Sequence, residues 1–262
     1  MHAQTHQSDP RILGRRTLAA DHRHLATLLQ PGMSVLDVGC GTGAITAGIA
    51  EAVGLEGRVI GVDRDAGLLA HARRLHPQLS FAQATATQLP YQAQFDIVTA
   101  ARTLQWISDP ATAIANMKAA ARPGGLVVVL DYNHAANTWH PQPPPEFRLF
   151  YAAFLTWRAS HGWDNQMASH LPMLFEATGL TRIESHAQDE IAKSGDQQTQ
   201  LWLEVIDNVG PPIVHSGFIS DAQLAAAKSA YAAWAITTLE TQTLNLAAVV
   251  GRVPVGRVPN FC

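Results

Sequence analysis

Cysteine is nearly absent from this chain: 262 residues contain two, Cys40 and Cys262. Two thiols so far apart cannot staple a domain of this size, and a free cysteine inside the chain suits a reducing compartment. Metal-ligand spacing is missing as well. The 12 histidines form no spaced cluster with the cysteines, and His22 and His24, two apart on a predicted helix, do not share a face, so no metal is expected. Nor is there an excess of charge. Lysine and arginine number 18 against 21 acidic residues, a formal charge of -3 with no basic block longer than two, which lacks the electrostatic footprint of a nucleic-acid binder. No apolar run is long enough to span a bilayer, and residues 1–10 are polar, so a cytoplasmic protein without membrane contact is expected. What remains is a composition 47% hydrophobic and 15% charged, suited to one domain over 1–262 with extensive buried surface.

Against that background residues 35–43, Val-Leu-Asp-Val-Gly-Cys-Gly-Thr-Gly, stand out. An apolar strand ends abruptly in Gly39, Gly41 and Gly43, and the helical run that follows aims its free N–H groups back at the turn. Such a turn lets a ligand press against bare backbone. A second short apolar run, 58–63, ends in Asp63, a carboxylate placed to accept two hydrogen bonds from a ribose diol. Gly39-x-Gly41-x-x-Ala44 also satisfies a dinucleotide fingerprint, so a nicotinamide-dependent oxidoreductase stays open on these residues, as does a cofactor-binding protein without catalysis.

Further pieces follow in order: Ala84-Thr85-Ala86, Leu89-Pro90-Tyr91, Phe95-Asp96-Ile97-Val98, Leu104-Gln105-Trp106 and Arg122-Pro123-Gly124-Gly125. Together with Asp37-x-Gly39-x-Gly41-x-Gly43 they resemble the class I, Rossmann-like S-adenosylmethionine-dependent methyltransferases of small-molecule type, including the menaquinone, ubiquinone and trans-aconitate methyltransferases. The resemblance covers residues 30–131 and a last strand near the C-terminus. It implies that Asp37 and the glycine backbone hold the methionine end of S-adenosylmethionine, that Asp63 takes the ribose, that Thr85 and Ala86 border the adenine, and that Ala101 offers backbone to the amino group. Arg64, just after Asp63, is placed either to cover the adenine face or to lie solvated on the surface. S-adenosylhomocysteine would be the product. Thr85 stands where the family has Asp, and a hydroxyl is a weaker acceptor than a carboxylate.

Apolar strand runs alternate with helical runs: helix 44–53, strand 58–63, helix 65–76, strand 79–84, strand 95–100, helix 110–121, strand 125–131. This alternation predicts an α/β fold with a doubly wound, mostly parallel sheet; the resemblance extends it to seven strands with an antiparallel last strand. Residues 11–29 carry an amphipathic helical pattern, a lid in the resembling family, ahead of a cofactor-binding core over 30–131. After a loop at 132–145, aromatics at three- and four-residue spacing predict a helix over 146–160, read as core packing. A helix at 171–179, a sixth strand at 180–187 and a last strand within 238–254, at 242–251, are expected. Segments 132–178 and 194–237 are expected to form a helical cap, the insertions falling after strand five and between strands six and seven. Pro211-Pro212 is expected to break the second segment, and Ser220-Asp221 to cap its last helix.

Methyl transfer from a sulfonium is an in-line displacement, so the protein must align the reactants and exclude water; a base matters only where the acceptor must lose a proton. His134, three residues past Asp131, is the candidate base, with Tyr132 beside it. Candidates to meet the small-molecule methyl acceptor are Arg102, Gln105, Trp106, Trp139, His140 and Arg148, the two arginines suiting an anionic acceptor. A monomer or homodimer is expected.

Overall fold

The computed structural model describes residues 10–255; Cys262 lies outside them. The chain opens with three short helices, α1 (Pro10–Leu13), α2 (Leu18–Asp21) and α3 (Arg23–Leu28). The core follows as β1 (Ser34–Val38), α4 (Ala44–Val53), β2 (Arg58–Asp63), α5 (Ala66–Leu75), β3 (Ser80–Gln83), β4 (Phe95–Ala101), α6 (Pro110–Ala120) and β5 (Ala121–Tyr132). Then come β6 (Thr138–His140), α7 (Pro145–Ser160), α8 (Met167–Ala177), β7 (Thr181–Ala187), β8 (Glu190–Lys193), α9 (Gln197–His215), α10 (Asp221–Thr237), β9 (Thr241–Leu244) and β10 (Leu246–Arg252).

The main sheet has seven strands in the order β3-β2-β1-β4-β5-β10-β7, parallel except for β10, which runs antiparallel to both its neighbours. Its central strands are buried on both faces, as uniformly apolar runs require: Val35, Leu36, Val98 and Val127 to Leu130 are inaccessible to solvent. Leu36, Val98, Val127 and Val129 pack with α6 and α8 on one face, through Met117, Leu171 and Phe175. Val35, Ile97 and Val128 pack with α3 and α4 on the other, through Leu25 and Ile49.

A separate aromatic cluster forms the cap. Phe147, Phe150, Phe154 and Trp157, all on one face of α7, pack with Trp202, Ile206 and Val209 of α9 and Tyr231 and Trp234 of α10. The aromatic spacing thus serves packing, with rings meeting edge-on or tilted, as their quadrupoles favour.

Several expectations are corrected. Residues 11–29 form three helices rather than one, because Thr17 caps α2 by accepting from the Ala20 N–H and the chain turns again at His22. Pro211 and Pro212 do not break α9, which runs through both. The carbonyls left without a helical donor belong to Asp207, which is exposed, and the half-buried Asn208, while buried Val209 and Ile213 hold the helix in the cap core. Strand five begins at Ala121, its pairing shifting at a bulge opposite Phe95 and Ile97. The helix expected at 171–179 begins four residues earlier. Finally, a second sheet of three antiparallel strands, β6-β9-β8, lies where a loop and the start of the last strand were expected. Its strands have three or four residues each, too few for alternation to show in the sequence.

Phe147 is fully buried and touches Trp139, Phe150, Tyr151, Trp202 and Tyr231. Phe147→Ala is expected to cost about 3–5 kcal/mol, read as a lower midpoint in urea unfolding; an unmoved midpoint would remove this ring from the cap's stability.

Candidate functional site

Sheet order reverses between β1 and β4, so the connections leaving their carboxyl ends diverge and open a crevice. The glycine turn fills its floor. Gly39, Gly41 and Gly43 all adopt left-handed φ, of 76°, 54° and 77°. A Cβ on Gly39 would lie 2.3 Å from the Thr103 hydroxyl, and one on Gly41 would lie 2.9 Å from Leu13 Cδ1. The turn is therefore held between the end of β4 and the N-terminal segment, with space for no side chain at either position.

Its amides are largely committed to the turn itself. Gly39 and Cys40 donate to the Val62 carbonyl at 2.7 and 3.0 Å, and Gly43 to that of Cys40 at 2.9 Å. Gly41 donates to Asp63 Oδ2 at 2.9 Å, while the Asp65 N–H donates to Asp63 Oδ1 at 2.9 Å. These two bonds orient the Asp63 carboxylate at the rim of the cavity. Asp37 is buried beneath the turn, where it accepts from the Thr46 hydroxyl at 2.6 Å. Burial pushes its carboxyl up to about 6, the negative charge of Asp63 adding to the effect and the Thr46 bond opposing it.

One cavity of about 1020 Å³ extends from Gly39, Gly41 and Asp63 past Ala84, Ala86 and Ala101 into the cap. There its walls become apolar and aromatic, with Trp106, Phe154, Leu201, Trp202, Val205 and Leu244. Polar groups in this chamber have defined roles. The Gln105 amide N–H donates to the Arg102 carbonyl at 3.3 Å, which leaves its Oε1 to accept from His134 Nε2 at 2.6 Å. His134 is thus the Nε2–H tautomer, and its buried Nδ1 has no partner. Burial, with Arg158 second, holds the imidazole well below its ordinary pKa, so it is neutral at physiological pH. The Gln242 Oε1 accepts from Trp139 Nε1 at 3.0 Å and from the Tyr231 hydroxyl at 3.2 Å, leaving its amide N–H groups to the cavity it lines.

Arg102 is buried, has a left-handed φ of 56°, and is surrounded by partners. It pairs with Glu190 of β8 and with Asp21 of α2, donates to the Asp21 carbonyl at 2.9 Å, and donates to the Tyr132 hydroxyl at 3.1 Å. Burial opposes its charge, but Tyr132, Glu190 and Asp21 together outweigh that and hold the guanidinium charged. Burial and the Glu190 charge raise the Tyr132 phenol, against Arg102.

The structure brings Gly39, Gly41, Asp63, Arg64, Ala86, Ala101, Arg102, Gln105, Trp106, Tyr132 and His134 to one cavity. Asp37 borders only a small pocket beneath the turn. Gly43 does not line the cavity; a Cβ there would meet the Phe81 ring at 2.7 Å, so its glycine serves packing. Thr85 is exposed and bonds the Thr87 hydroxyl, because past β3 it faces away from the side presented by Ala84 and Ala86. Trp139 packs among aromatic rings, His140 is exposed beside Glu240, and Arg148 is exposed beside Gln142; none of the three lines the cavity. Sequence reasoning did not single out Arg158, Glu190 or Gln242. Arg158 is fully buried, lies 4.2 Å from the Trp106 ring centre and donates to the Gln105 carbonyl, yet nothing in its aromatic neighbourhood of sequence marks it. Among the described residues no group of three or more His, Cys, Asp or Glu is placed to hold a metal ion.

The sheet order, the glycine turn at its switch point and the acidic end of β2 define a Rossmann-like methyltransferase fold. Residues 35–125 match a family described as a methyltransferase domain. The chain is 36% identical over 126 residues to a demethylmenaquinone methyltransferase of Renibacterium salmoninarum, covering 48% of this chain and 49% of that protein. The chain likewise spans about half the length of several further curated relatives it matches. Among solved structures, the YcgJ protein of Bacillus subtilis superposes with a TM-score of 0.60 at 17% identity, covering 90% of this chain and 100% of that one. A phosphoethanolamine N-methyltransferase of Haemonchus contortus, in complex with phosphomonomethylethanolamine and S-adenosylhomocysteine, superposes with a TM-score of 0.54 at 18% identity, covering 89% of this chain and 52% of that one.

Because the native Asp37 carboxyl titrates near 6 rather than its ordinary 3.8, the folded state binds the extra proton between those values. Its contribution to stability is complete below about pH 4 and is lost as pH rises through about 6. Asp37→Asn is expected to gain on the wild type across that window, by up to about 3 kcal/mol, in urea unfolding at stepped pH; a difference that does not vary with pH would reject the shift.

Proposed function

We propose that the protein is an S-adenosylmethionine-dependent methyltransferase acting on a small organic molecule at oxygen, nitrogen or carbon. The observation that supports this most is the continuity of the cavity, from the glycine turn and Asp63 at one end to the aromatic chamber at the other. A nucleotide-bearing donor and an apolar acceptor could share it, with water excluded between them. The donor end fits the cofactor: a turn with no room for Cβ atoms, a carboxylate oriented by two N–H groups, and the small side chains of Ala84 and Ala86 where a flat base would lie.

When bound, S-adenosylmethionine supplies a methyl group already activated on a sulfonium. In this reading Asp63 accepts from the ribose hydroxyls, Ala86 borders the adenine and Arg64 covers it. Ala101 presents backbone to the amino group, with Asp37 and the glycine turn beneath it. In the chamber, Trp106, Phe154 and Trp202 enclose the acceptor and Gln242 donates to it. Tyr132, whose phenol stays protonated against Arg102, holds that arginine rather than taking a proton. His134 is too desolvated to gain a charge readily, so alignment carries the rate. The near-neutral charge fits a small acceptor better than nucleic acid, and no helix of the described residues is long and apolar enough to cross a membrane. The reading places the protein in the cytoplasm, as a monomer or homodimer.

Calorimetric titration is expected to show binding of S-adenosylhomocysteine and none of a nicotinamide dinucleotide; the opposite pattern would make this a Rossmann oxidoreductase. Asp63→Ala should weaken S-adenosylhomocysteine binding by roughly 1.5–3 kcal/mol per hydrogen bond lost. Transfer of labelled methyl groups across a panel of small phenols, amines and carboxylic acids tests the activity itself. With a responsive acceptor in hand, His134→Gln is expected to lower kcat by less than about tenfold and to leave its pH profile unchanged. A larger loss with an altered profile would restore His134 as a base.

A further inference from the structure

The small sheet β6-β9-β8 presents one of its faces to the cavity. In β9, Gln242 and Leu244 lie two residues apart and so point the same way, and Ala192 of β8 is paired directly with Gln242; all three line the cavity. On its other side Gln242 is paired with Trp139 of β6. Held between two strands and only 1% exposed, Gln242 has the orientation of its amide set by the groups around it.

Those groups are not equivalent. The Trp139 indole N–H can only donate, and it lies 3.0 Å from Gln242 Oε1, so the oxygen end of the amide must face the indole. The Tyr231 hydroxyl, 3.2 Å from the same oxygen, has a single hydrogen and lies closer, at 2.8 Å, to the Thr199 carbonyl. With its hydrogen given to Thr199 it could accept from an amide N–H as well as donate to an amide oxygen. Trp139 alone therefore decides which end of Gln242 meets the cavity, and that end is the N–H pair, which bonds no described residue. Two nearby amides that also line the cavity lack this property. Asn137 is bonded at both ends, donating to the Tyr151 hydroxyl and accepting from the Asn245 N–H. Half-buried Asn208 of α9 has no described residue bonded to its amide and can present either end.

We infer that Gln242, locked by Trp139, determines which acceptors the aromatic chamber takes: flat, largely apolar molecules that present a lone pair, such as a carbonyl, ether or ring nitrogen, in preference to those whose polar group only donates. This rests on the methyltransferase reading above, with the chamber as acceptor site. The selection works by penalty. A buried N–H left unpaired costs more than a made bond contributes, so a molecule that brings only a donor leaves its own N–H and those of Gln242 unsatisfied together. Trp139 is a positioning residue, acting on the acceptor only through Gln242.

The test measures binding of two probes to the full chain loaded with S-adenosylhomocysteine. Quinoline, neutral at pH 8, has a ring nitrogen that only accepts; indole has an N–H that only donates. Gln242→Leu is expected to lower the ratio of quinoline to indole affinity by about three- to tenfold, the worth of one neutral hydrogen bond. Comparing the ratio between proteins cancels the difference in hydrophobicity between the probes. Trp139→Phe is expected to lower the same ratio through a gain in indole affinity, because the freed amide can turn its oxygen to the cavity; a merely structural role would weaken both probes together. Unchanged S-adenosylhomocysteine affinity reports an intact fold in each variant. A ratio that stays constant in both variants, or a Trp139→Phe protein that loses both probes equally, overturns the assignment. Wild-type protein that binds S-adenosylhomocysteine but neither probe also overturns it, while leaving the cofactor reading in place. Wild-type protein that binds no S-adenosylhomocysteine removes the cofactor reading, and the acceptor role of Gln242 with it.

Discussion

The buried charge of Arg102 is the interaction on which the arrangement of this molecule turns. A guanidinium removed from water must have its donors filled, and here they are filled from three separate parts of the chain: α2, the end of β5 and β8. The N-terminal segment, the sheet and the small second sheet therefore meet at one point above the ends of the parallel strands. Removing either carboxylate would leave an uncompensated charge inside the cavity wall. The left-handed backbone at Arg102 belongs to the same constraint, because it turns the side chain back over the crevice at the point where β4 ends.

Beneath that junction the site is built by backbone rather than by side chains. The glycine turn is closed by its own amides and by Asp63, so the ligand-facing surface is rigid before anything binds. A rigid, pre-formed rim lowers the ordering cost of binding. It also explains why Asp37, one strand residue before the turn, is buried against Thr46: it supports the first turn of α4 from below, at the cost of a carboxyl that resists ionisation.

The cap has the opposite character. Its aromatic rings interlock into a core of their own, and the polar side chains beside it that line the cavity, Gln105, His134 and Gln242, are neutral. Such a chamber can orient an uncharged acceptor by shape and by one or two hydrogen bonds, without a group that must change protonation state. In the methyl transfer proposed above, the leaving group would depart as a neutral thioether, and orientation and exclusion of water are the contributions a protein can make.

Much of the core was legible in the sequence because its signals are local. An apolar run, a turn that only glycine can make and a carboxylate at a strand end each lie within a few residues, and each retains its meaning whatever packs above it. By itself the sequence determined the alternating α/β core, the turn at residues 39–43, the position of Asp63 and the aromatic face of α7. Only the tertiary structure decided what depends on distant partners. It moved Thr85, Trp139, His140 and Arg148 away from the cavity, made Gly43 a packing residue, and kept α9 continuous through two prolines by burying its neighbours in the cap. It also brought Arg16, Glu190 and Gln242 to the cavity from segments separated by up to 226 positions, with no spacing in the sequence to announce them. The physical reason is that a side chain's charge state and hydrogen bonds are set by the atoms around it after folding, whereas a turn or a strand is set largely by the residues that compose it.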